Sequence, residues 1–168
     1  MNQPLARREL VGIALAAVAL RWLVFAWAYW ATGGNPLVRE PDSVGYLALA
    51  ESLATRHEFA RDGQPELFRT PGYPAFLAPG LRWPNAYVVV TQGLLGGAIA
   101  VLVGRLASTL GAAPASARIA AWLYVIEPLG VLYASKMLTE TLFVALFTAG
   151  VLALAHYGRR PGWKPAAA

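Results

Sequence analysis

The chain has no cysteine, and only two histidines, His57 and His156, occur among its 168 residues. The lack of cysteine excludes disulfide bonds and thiolate metal sites, and two separated histidines do not favour a histidine metal site. Charged residues are also scarce, at 14%, compared with about 25% in an average soluble domain. We therefore expect no metal site and no cofactor, and we do not expect a soluble globular domain.

Apolar residues make up 57% of the chain and lie in long blocks, which is typical of membrane spans. The predicted fold class is an all-α membrane protein, a single membrane domain over residues 1–168. Its predicted spans cover residues 9–31, 86–103, 118–134 and 138–156. Pro128 should kink the third span, since proline removes a helical hydrogen bond. Gly93 and Gly97 give the second span a face of small residues that allows close helix packing.

The first block has one competing interpretation, a cleaved signal peptide. Arg7 and Arg8 form a basic start, and the Ala-Trp-Ala sequence at 26–28 resembles a cleavage site. The block is too long for this interpretation, Arg21 interrupts it, and three more apolar blocks follow. We therefore interpret it as a span.

Membrane topology explains the net charge of +5 better than nucleic-acid binding does, because the basic residues flank the apolar blocks. With a cytoplasmic N-terminus, the inner segments carry Arg7, Arg8, Arg105, Arg118, Arg159, Arg160 and Lys164. We expect a multi-pass protein of the bacterial inner membrane, with both termini cytoplasmic and no nucleic-acid partner. The polar, proline-rich loop over residues 32–84 then faces outward.

The outer loop carries the first candidate for chemistry, Asp42. A helix is predicted from Ser43 to about Arg56, lying on the membrane surface with Asp42 as its N-cap. A carboxylate at a helix start favours the ionised form, which can take a proton from a hydroxyl group. The alternative is that Asp42 only caps the helix.

Two further segments contain candidates. Residues 69–74 read Arg-Thr-Pro-Gly-Tyr-Pro, a tight turn beside which Arg69 could grip a phosphate. The alternative is a turn that only redirects the chain. Glu140 starts the fourth span at the same membrane face as Asp42. It could equally serve its own helix N-terminus, with Lys136 four residues away as its partner.

Arg21 and Glu127 fall inside predicted spans, where charges are costly and rarely face lipid. We expect both side chains to point into the bundle, toward each other or toward a buried polar ligand. Snorkelling to the interface, or a purely structural ion pair, is the alternative.

Together these motifs resemble the N-terminal part of the glycosyltransferase C superfamily, in the branch related to protein O-mannosyltransferases and lipid A aminoarabinose transferases. Asp42, Tyr46 and Ala50 match its first outer loop. Residues 69–74 match its Arg-x-Pro-Gly-Tyr-Pro segment. Residues 138–143, Leu-Thr-Glu-Thr-Leu-Phe, are similar to the start of its fourth span. The three matches occur in the same order and at the same predicted membrane face.

The resemblance implies transfer of a sugar from a polyprenyl-phosphate donor to an acceptor at the outer face of the membrane, without a metal. Asp42 would be the general base, with inversion at the anomeric carbon, and Glu140 would orient acceptor or donor. The cations expected to stabilise the departing lipid phosphate are Arg69 first, then Arg39, Arg21 and Lys136. Tyr73, within the matched turn, would contact substrate.

Members of this superfamily usually have many more spans. We therefore expect a fragment, or a truncated relative that works with a second membrane subunit, or an inactive chain. Two functions from other classes stay open. One is a non-catalytic membrane subunit that binds lipid or a protein partner through its outer loop. The other is a small transporter-like bundle with Arg21 and Glu127 along its path.

Overall fold

The computed structural model describes residues 5–34, 39 and 41–159. Arg160 and Lys164, which were counted in the predicted topology, lie outside this part. The α-helices are α1 (Arg7–Ala31), α2 (Pro41–Arg56), α3 (Gly72–Leu77), α4 (Pro84–Thr109), α5 (Pro114–Val125), α6 (Pro128–Tyr133) and α7 (Glu140–Gly158). A 3₁₀ turn, Ala78–Gly80, follows α3, and two short strands, β1 (Ala60–Arg61) and β2 (Gln64–Pro65), precede it.

Three helices, α1, α4 and α7, are long and apolar enough to cross a membrane. They contain 25, 26 and 19 residues, which at about 1.5 Å per residue gives lengths of roughly 29 to 39 Å. They coincide with the predicted first, second and fourth spans, so three predicted spanning helices are confirmed by length and composition. Pro84 opens α4, a position where its missing N–H costs no hydrogen bond.

The segment predicted as one kinked third helix is instead two helices. The first, α5, ends at Val125, and Glu127 has an extended backbone before Pro128 opens α6. The Glu127 side chain accepts hydrogen bonds from the N–H groups of Leu129 and Gly130, which caps α6. Proline removes a donor from the preceding turn, and the acidic cap then starts a new helix, so the prediction of a single kinked helix is wrong.

The centre of the bundle is α4, which packs against α1, α5 and α7. Its glycines allow close approach of α1. A Cβ atom at Gly97 would lie 2.7 Å from Val18 Cγ2 and 3.0 Å from the Ala14 carbonyl oxygen. A Cβ at Gly93 would lie 2.3 Å from Trp22 Nε1. The predicted small-residue face of this span is therefore the face on which α1 packs.

The loop between α1 and α4 is folded over one end of the bundle. Its helix α2 packs on α3 and on a hairpin formed by β1 and β2. Asp62 and Gly63 turn the hairpin with φ of 54° and 77°, as in a type I′ turn. The all-α prediction omitted this hairpin, although the Asp-Gly dipeptide is its ordinary signal.

Asp42 does not occupy the predicted N-cap position. Helix α2 begins at Pro41, and Asp42 lies within its first turn. Proline is favoured at the first helical position because that residue needs no N–H donor, so the helix begins two residues earlier than predicted. The carboxylate remains close to the positive end of the helix dipole.

Candidate functional site

The structure brings Asp42 and Arg69 together across 27 residues of sequence. Arg69 Nη2 donates a hydrogen bond to Asp42 Oδ1 at 2.9 Å. The Asp42 side chain is 63% exposed, whereas that of Arg69 is 24% exposed. The pair therefore lies at a surface, with the carboxylate open to an incoming group and the arginine partly enclosed.

Glu66 holds Arg69 from the other side. Its Oε2 lies 3.8 Å from Arg69 Nη1, and its side chain is only 4% exposed. The backbone N–H of Phe68 donates to Glu66 Oε1 at 2.9 Å. This bond, aided by the Arg69 N–H and the nearby arginines, holds the pKa of Glu66 below its ordinary value. Sequence analysis did not single out Glu66, although an acid three residues before an arginine is a usable signal.

Arg69 also rests on the first turns of α2. Its guanidinium carbon lies 5.4 Å from the centre of the Tyr46 ring, within cation–π range. A Cβ at Gly45 would lie 3.0 Å from Arg69 Cζ and 3.1 Å from Arg61 Nη1. Two guanidinium groups therefore lie close to this position, and a side chain there would require them to shift by a few tenths of an ångström.

A cleft of about 370 Å³ opens beside this pair. Tyr46, Arg69 and Tyr73 lie on its polar side, and Leu142 and Phe143 of α7 lie on its apolar side. One cation and two phenol rings thus face an apolar helix that is long enough to cross a membrane. Such a cleft suits a ligand with an anionic head and an apolar tail.

Tyr73 of α3 lines this cleft and is fixed in place. Its side chain is 2% exposed, and its hydroxyl oxygen accepts a hydrogen bond from Gln92 Nε2 of α4 at 2.7 Å. Burial, with a smaller contribution from the charge of Glu140, raises the pKa of Tyr73 above its ordinary value. Tyr73 is therefore a neutral phenol, packed edge-on against Tyr46 at 5.1 Å between ring centres.

Glu140 lies at the same end of the bundle as Asp42 but lines a different cleft. The start of α2 reaches the segment before α7, where Ser43 Oγ donates to the Met137 carbonyl oxygen at 3.1 Å. Glu140 Oε2, however, is buried, with no hydrogen-bond partner among the described residues. It borders a separate space of about 220 Å³ together with Glu127. The two predicted carboxylates, Asp42 and Glu140, therefore do not border one cleft.

Arg21 and Glu127 do not form the predicted ion pair. The salt bridges found in the described part of the chain do not include these two residues. Arg21, 2% exposed, donates to the carbonyl oxygens of Tyr124 and Val125, each at 3.4 Å, and to that of Ala17 at 3.0 Å. Helix-end carbonyls need donors, and Arg21 supplies them at the end of α5, while Glu127 caps α6. The two residues therefore do not pair directly. Glu127 accepts from helix-start N–H groups, and Arg21 donates through Nη1 and Nη2, while its buried Nε has no hydrogen-bond partner among the described residues.

Three predicted substrate-binding cations lie away from this cleft. Arg39 Nε donates to Asn85 Oδ1 at 3.3 Å, near the start of α4. Lys136 lies half-buried in the turn between α6 and α7. Neither residue, nor Arg21, lines the space beside Arg69. Arg69 is thus the cation, among the four predicted, that the fold places there.

Within residues 5–34, 39 and 41–159, no group of three or more acidic, histidine or cysteine side chains is arranged to hold a metal ion. Comparisons with protein-family models, with curated proteins and with solved structures find no match for this chain.

Proposed function

We propose that this chain is a membrane glycosyltransferase module of the glycosyltransferase C type. It transfers a sugar from a polyprenyl-phosphate donor to an acceptor at the extracytoplasmic face. The observation that carries the proposal is Arg69, which lines a cleft with polar and apolar residues and donates a hydrogen bond to the exposed Asp42 carboxylate. The reaction needs three groups close together. These are a base for the acceptor hydroxyl, a cation for the phosphate and an apolar wall for the lipid.

The proposal includes a topology in the bacterial inner membrane. Helices α1, α4 and α7 each cross it, and α5 with α6 make a broken third passage. The loop that contains α2, the hairpin and α3 lies on the outer surface, and both termini are cytoplasmic. Support comes from the clustering of Arg7, Arg105 and Arg159 at the end of the bundle opposite Asp42, as the positive-inside rule requires.

In the proposed reaction an Asp42 carboxylate oxygen takes the proton of an acceptor hydroxyl. The hydroxyl oxygen then bonds to the anomeric carbon, and the bond from that carbon to the phosphate oxygen breaks on the opposite face, with inversion. The electron pair leaves with the lipid phosphate. A fixed guanidinium can stabilise that developing charge, which is the role of Arg69.

The hydrogen bond between the two residues also gives an order of events. While Arg69 occupies Asp42 Oδ1, that oxygen is not free to act as a base. A donor phosphate that enters the cleft competes for the guanidinium group, because arginine pairs with phosphate in a bidentate geometry. Donor binding then frees Asp42 Oδ1, so that both carboxylate oxygens are open to the acceptor hydroxyl.

The apolar side of the cleft suits the lipid chain of the donor. Phe143 and Leu146 of α7 are 62% and 65% exposed and face outward beside Arg69. The outer rim carries Phe68, which is 96% exposed. We assign the other contacts to donor and acceptor to further membrane helices or to a second membrane subunit that covers this rim.

The decisive experiment is Asp42→Asn in membranes that carry the complete transferase system and a polyprenyl-phosphate sugar. Loss of a general base typically costs about 10²- to 10⁴-fold in rate, and we expect a loss in that range with the protein still in the membrane. Asp62→Asn is the matched control, since Asp62 is an exposed carboxylate of the same loop that lies on the hairpin turn. Full transfer by the Asp42→Asn protein would remove Asp42 from the base role.

Arg69→Ala tests the donor side of the proposal. We expect a higher donor requirement with little change in acceptor requirement, because the cation acts on the phosphate. Arg82→Ala is the control, as Arg82 belongs to the same loop but rests on Trp83 instead. If the donor requirement of the Arg69→Ala protein is unchanged, Arg69 does not bind the donor and only redirects the chain.

The second candidate is a non-catalytic membrane subunit that binds lipid or a protein partner through its outer loop. It is favoured by Leu67 and Phe68, two adjacent apolar side chains that are 84% and 96% exposed. For this function, replacing both by serine would abolish association with the partner, while Asp42→Asn would change nothing. The two sets of variants therefore separate the candidates.

A further inference from the structure

A third cleft lies at the end of the bundle opposite Asp42. Helix α1 begins there, and α4 and α7 end there. The cleft has a volume of about 570 Å³. Arg7, Arg105 and Arg159 border it from these three helix ends, with Leu10 and Leu152 among its apolar residues. The space is thus larger than the one beside Arg69 and carries three guanidinium groups.

These positive charges have no counter-charge in the cleft. No aspartate or glutamate lines it, and none of its three arginines is in a salt bridge within the described part of the chain. The acid at this end, Glu9, is engaged by Arg118 of α5 at 3.3 Å. Like charges that converge on one space repel each other unless an anion lies between them.

The positive-inside rule accounts for arginines at this end of the bundle but not for three that line one cleft, and helix dipoles do not account for it either. A cation near the C-terminus of a helix is favoured by the helix dipole, which explains Arg105 on α4 and Arg159 after α7 one at a time. Arg7 is the first residue of α1, where the dipole disfavours a cation. An anion shared by all three arginines would offset that cost.

We propose that this basic cleft binds a phosphate-bearing anion, and the apolar residues favour a phospholipid headgroup as its source. Leu10 and Leu152 are each 8% exposed and lie beside the arginines. A lipid would place its phosphate among the guanidinium groups and its glycerol and first methylenes against the leucines. Basic pockets between membrane helices bind anionic headgroups in this way. The site is separate from the sugar-transfer site and does not depend on it.

The test uses the purified full chain in detergent micelles that contain phosphatidylglycerol or, for comparison, phosphatidylcholine. Bound lipid is counted by native mass spectrometry. We expect preferential binding of phosphatidylglycerol, weakened roughly fivefold by Arg105→Gln and by Arg159→Gln, since each removes one charge near the phosphate. Arg8→Gln is the matched control, because Arg8 is an exposed arginine at the same end that does not line the cleft.

Inorganic phosphate in millimolar excess distinguishes the two sources of the anion. If phosphate displaces the lipid and binds with the same dependence on Arg105, the natural ligand is a soluble phosphate compound. If it fails to compete, the ligand is the headgroup. Both outcomes keep the phosphate site.

An equal loss of phosphatidylglycerol binding in Arg8→Gln and Arg105→Gln would overturn the proposal, since it would show diffuse attraction of the lipid to a charged surface. No loss in either cleft variant would overturn it as well. Arg105 and Arg159 are both exposed, so their replacement should not unfold the chain, and thermal unfolding verifies this. Asp42→Asn leaves lipid binding unchanged, so failure here and failure of sugar transfer are distinguishable.

Discussion

Replacing Gly96 by alanine should weaken the whole bundle, because Arg21 occupies the space that a side chain would need. A Cβ at Gly96 would lie 2.2 Å from Arg21 Nε, 2.5 Å from Cδ and 2.9 Å from Cζ. These atoms belong to a side chain that is 2% exposed and donates hydrogen bonds to the carbonyl oxygens of Tyr124 and Val125. The arginine therefore has to shift, and its hydrogen bonds shift with it.

The magnitude follows from three contributions. Overpacking typically costs about 1 to 3 kcal/mol, and weakened hydrogen bonds from a buried charged group add about 1 kcal/mol or more. Alanine is favoured over glycine within a helix by about 1 kcal/mol, which offsets part of this loss. We expect a net decrease of about 1 to 3 kcal/mol in the free energy of unfolding.

Tryptophan fluorescence during thermal unfolding in detergent measures the effect, using the six tryptophans of the chain. Gly12→Ala in α1 and Gly150→Ala in α7 are matched controls, since a Cβ at either position meets nothing within 4 Å. Both should melt at or above the temperature of the parent, and Gly96→Ala several degrees below it. If Gly96→Ala melts with these controls, Arg21 is not fixed as described.

Three further predictions concern other contacts. Gly45→Ala should lower sugar transfer, because a Cβ 3.0 Å from Arg69 Cζ requires the guanidinium group to shift. Unchanged transfer would contradict this. Arg21→Leu should lower the unfolding temperature more than Glu127→Gln, which keeps an oxygen that can cap α6; equal losses would favour a direct pair. Folding lowers the pKa of Glu66. The ionised Glu66 therefore stabilises the fold at pH values above its ordinary pKa, and this stabilisation is lost as the pH falls through the lowered pKa of the folded state. Melting temperatures measured over roughly pH 3 to 7 should therefore fall less steeply in Glu66→Gln, and identical profiles would contradict the role given to Glu66.

The sequence predicted the parts of the fold that depend on local composition. Three helices with the length and hydropathy of membrane spans lie where apolar blocks predicted them. Helix α2 follows from proline and apolar spacing. The tight turn predicted over residues 69–74 is wrong in its second half, because helix α3 begins at Gly72. Asp42 and Arg69 were both selected as candidates from their segments, although their contact at 2.9 Å was not predicted.

The predictions failed for side chains that have more than one possible partner. Arg21 and Glu127 were expected to point into the bundle, toward each other or toward a buried polar ligand, because charges inside spans rarely face lipid. In the structure both charges contact helix-end backbone groups, and they are not within salt-bridge distance of each other. The role of Glu66 was missed for the same reason, because it depends on contacts with Arg69 and with the N–H of Phe68.

Hydropathy and helix signals are local, so the sequence by itself determined that the chain has membrane-length helices with a polar loop between the first two. The rotation of each helix and the direction of each side chain depend on packing, which no single segment contains. Only the tertiary structure therefore decided that the predicted third span is broken at Glu127 and Pro128, and that Arg69 rather than Lys136 borders the cleft. It also placed Glu140 away from the cleft beside Arg69, because α7 presents opposite faces to two different clefts.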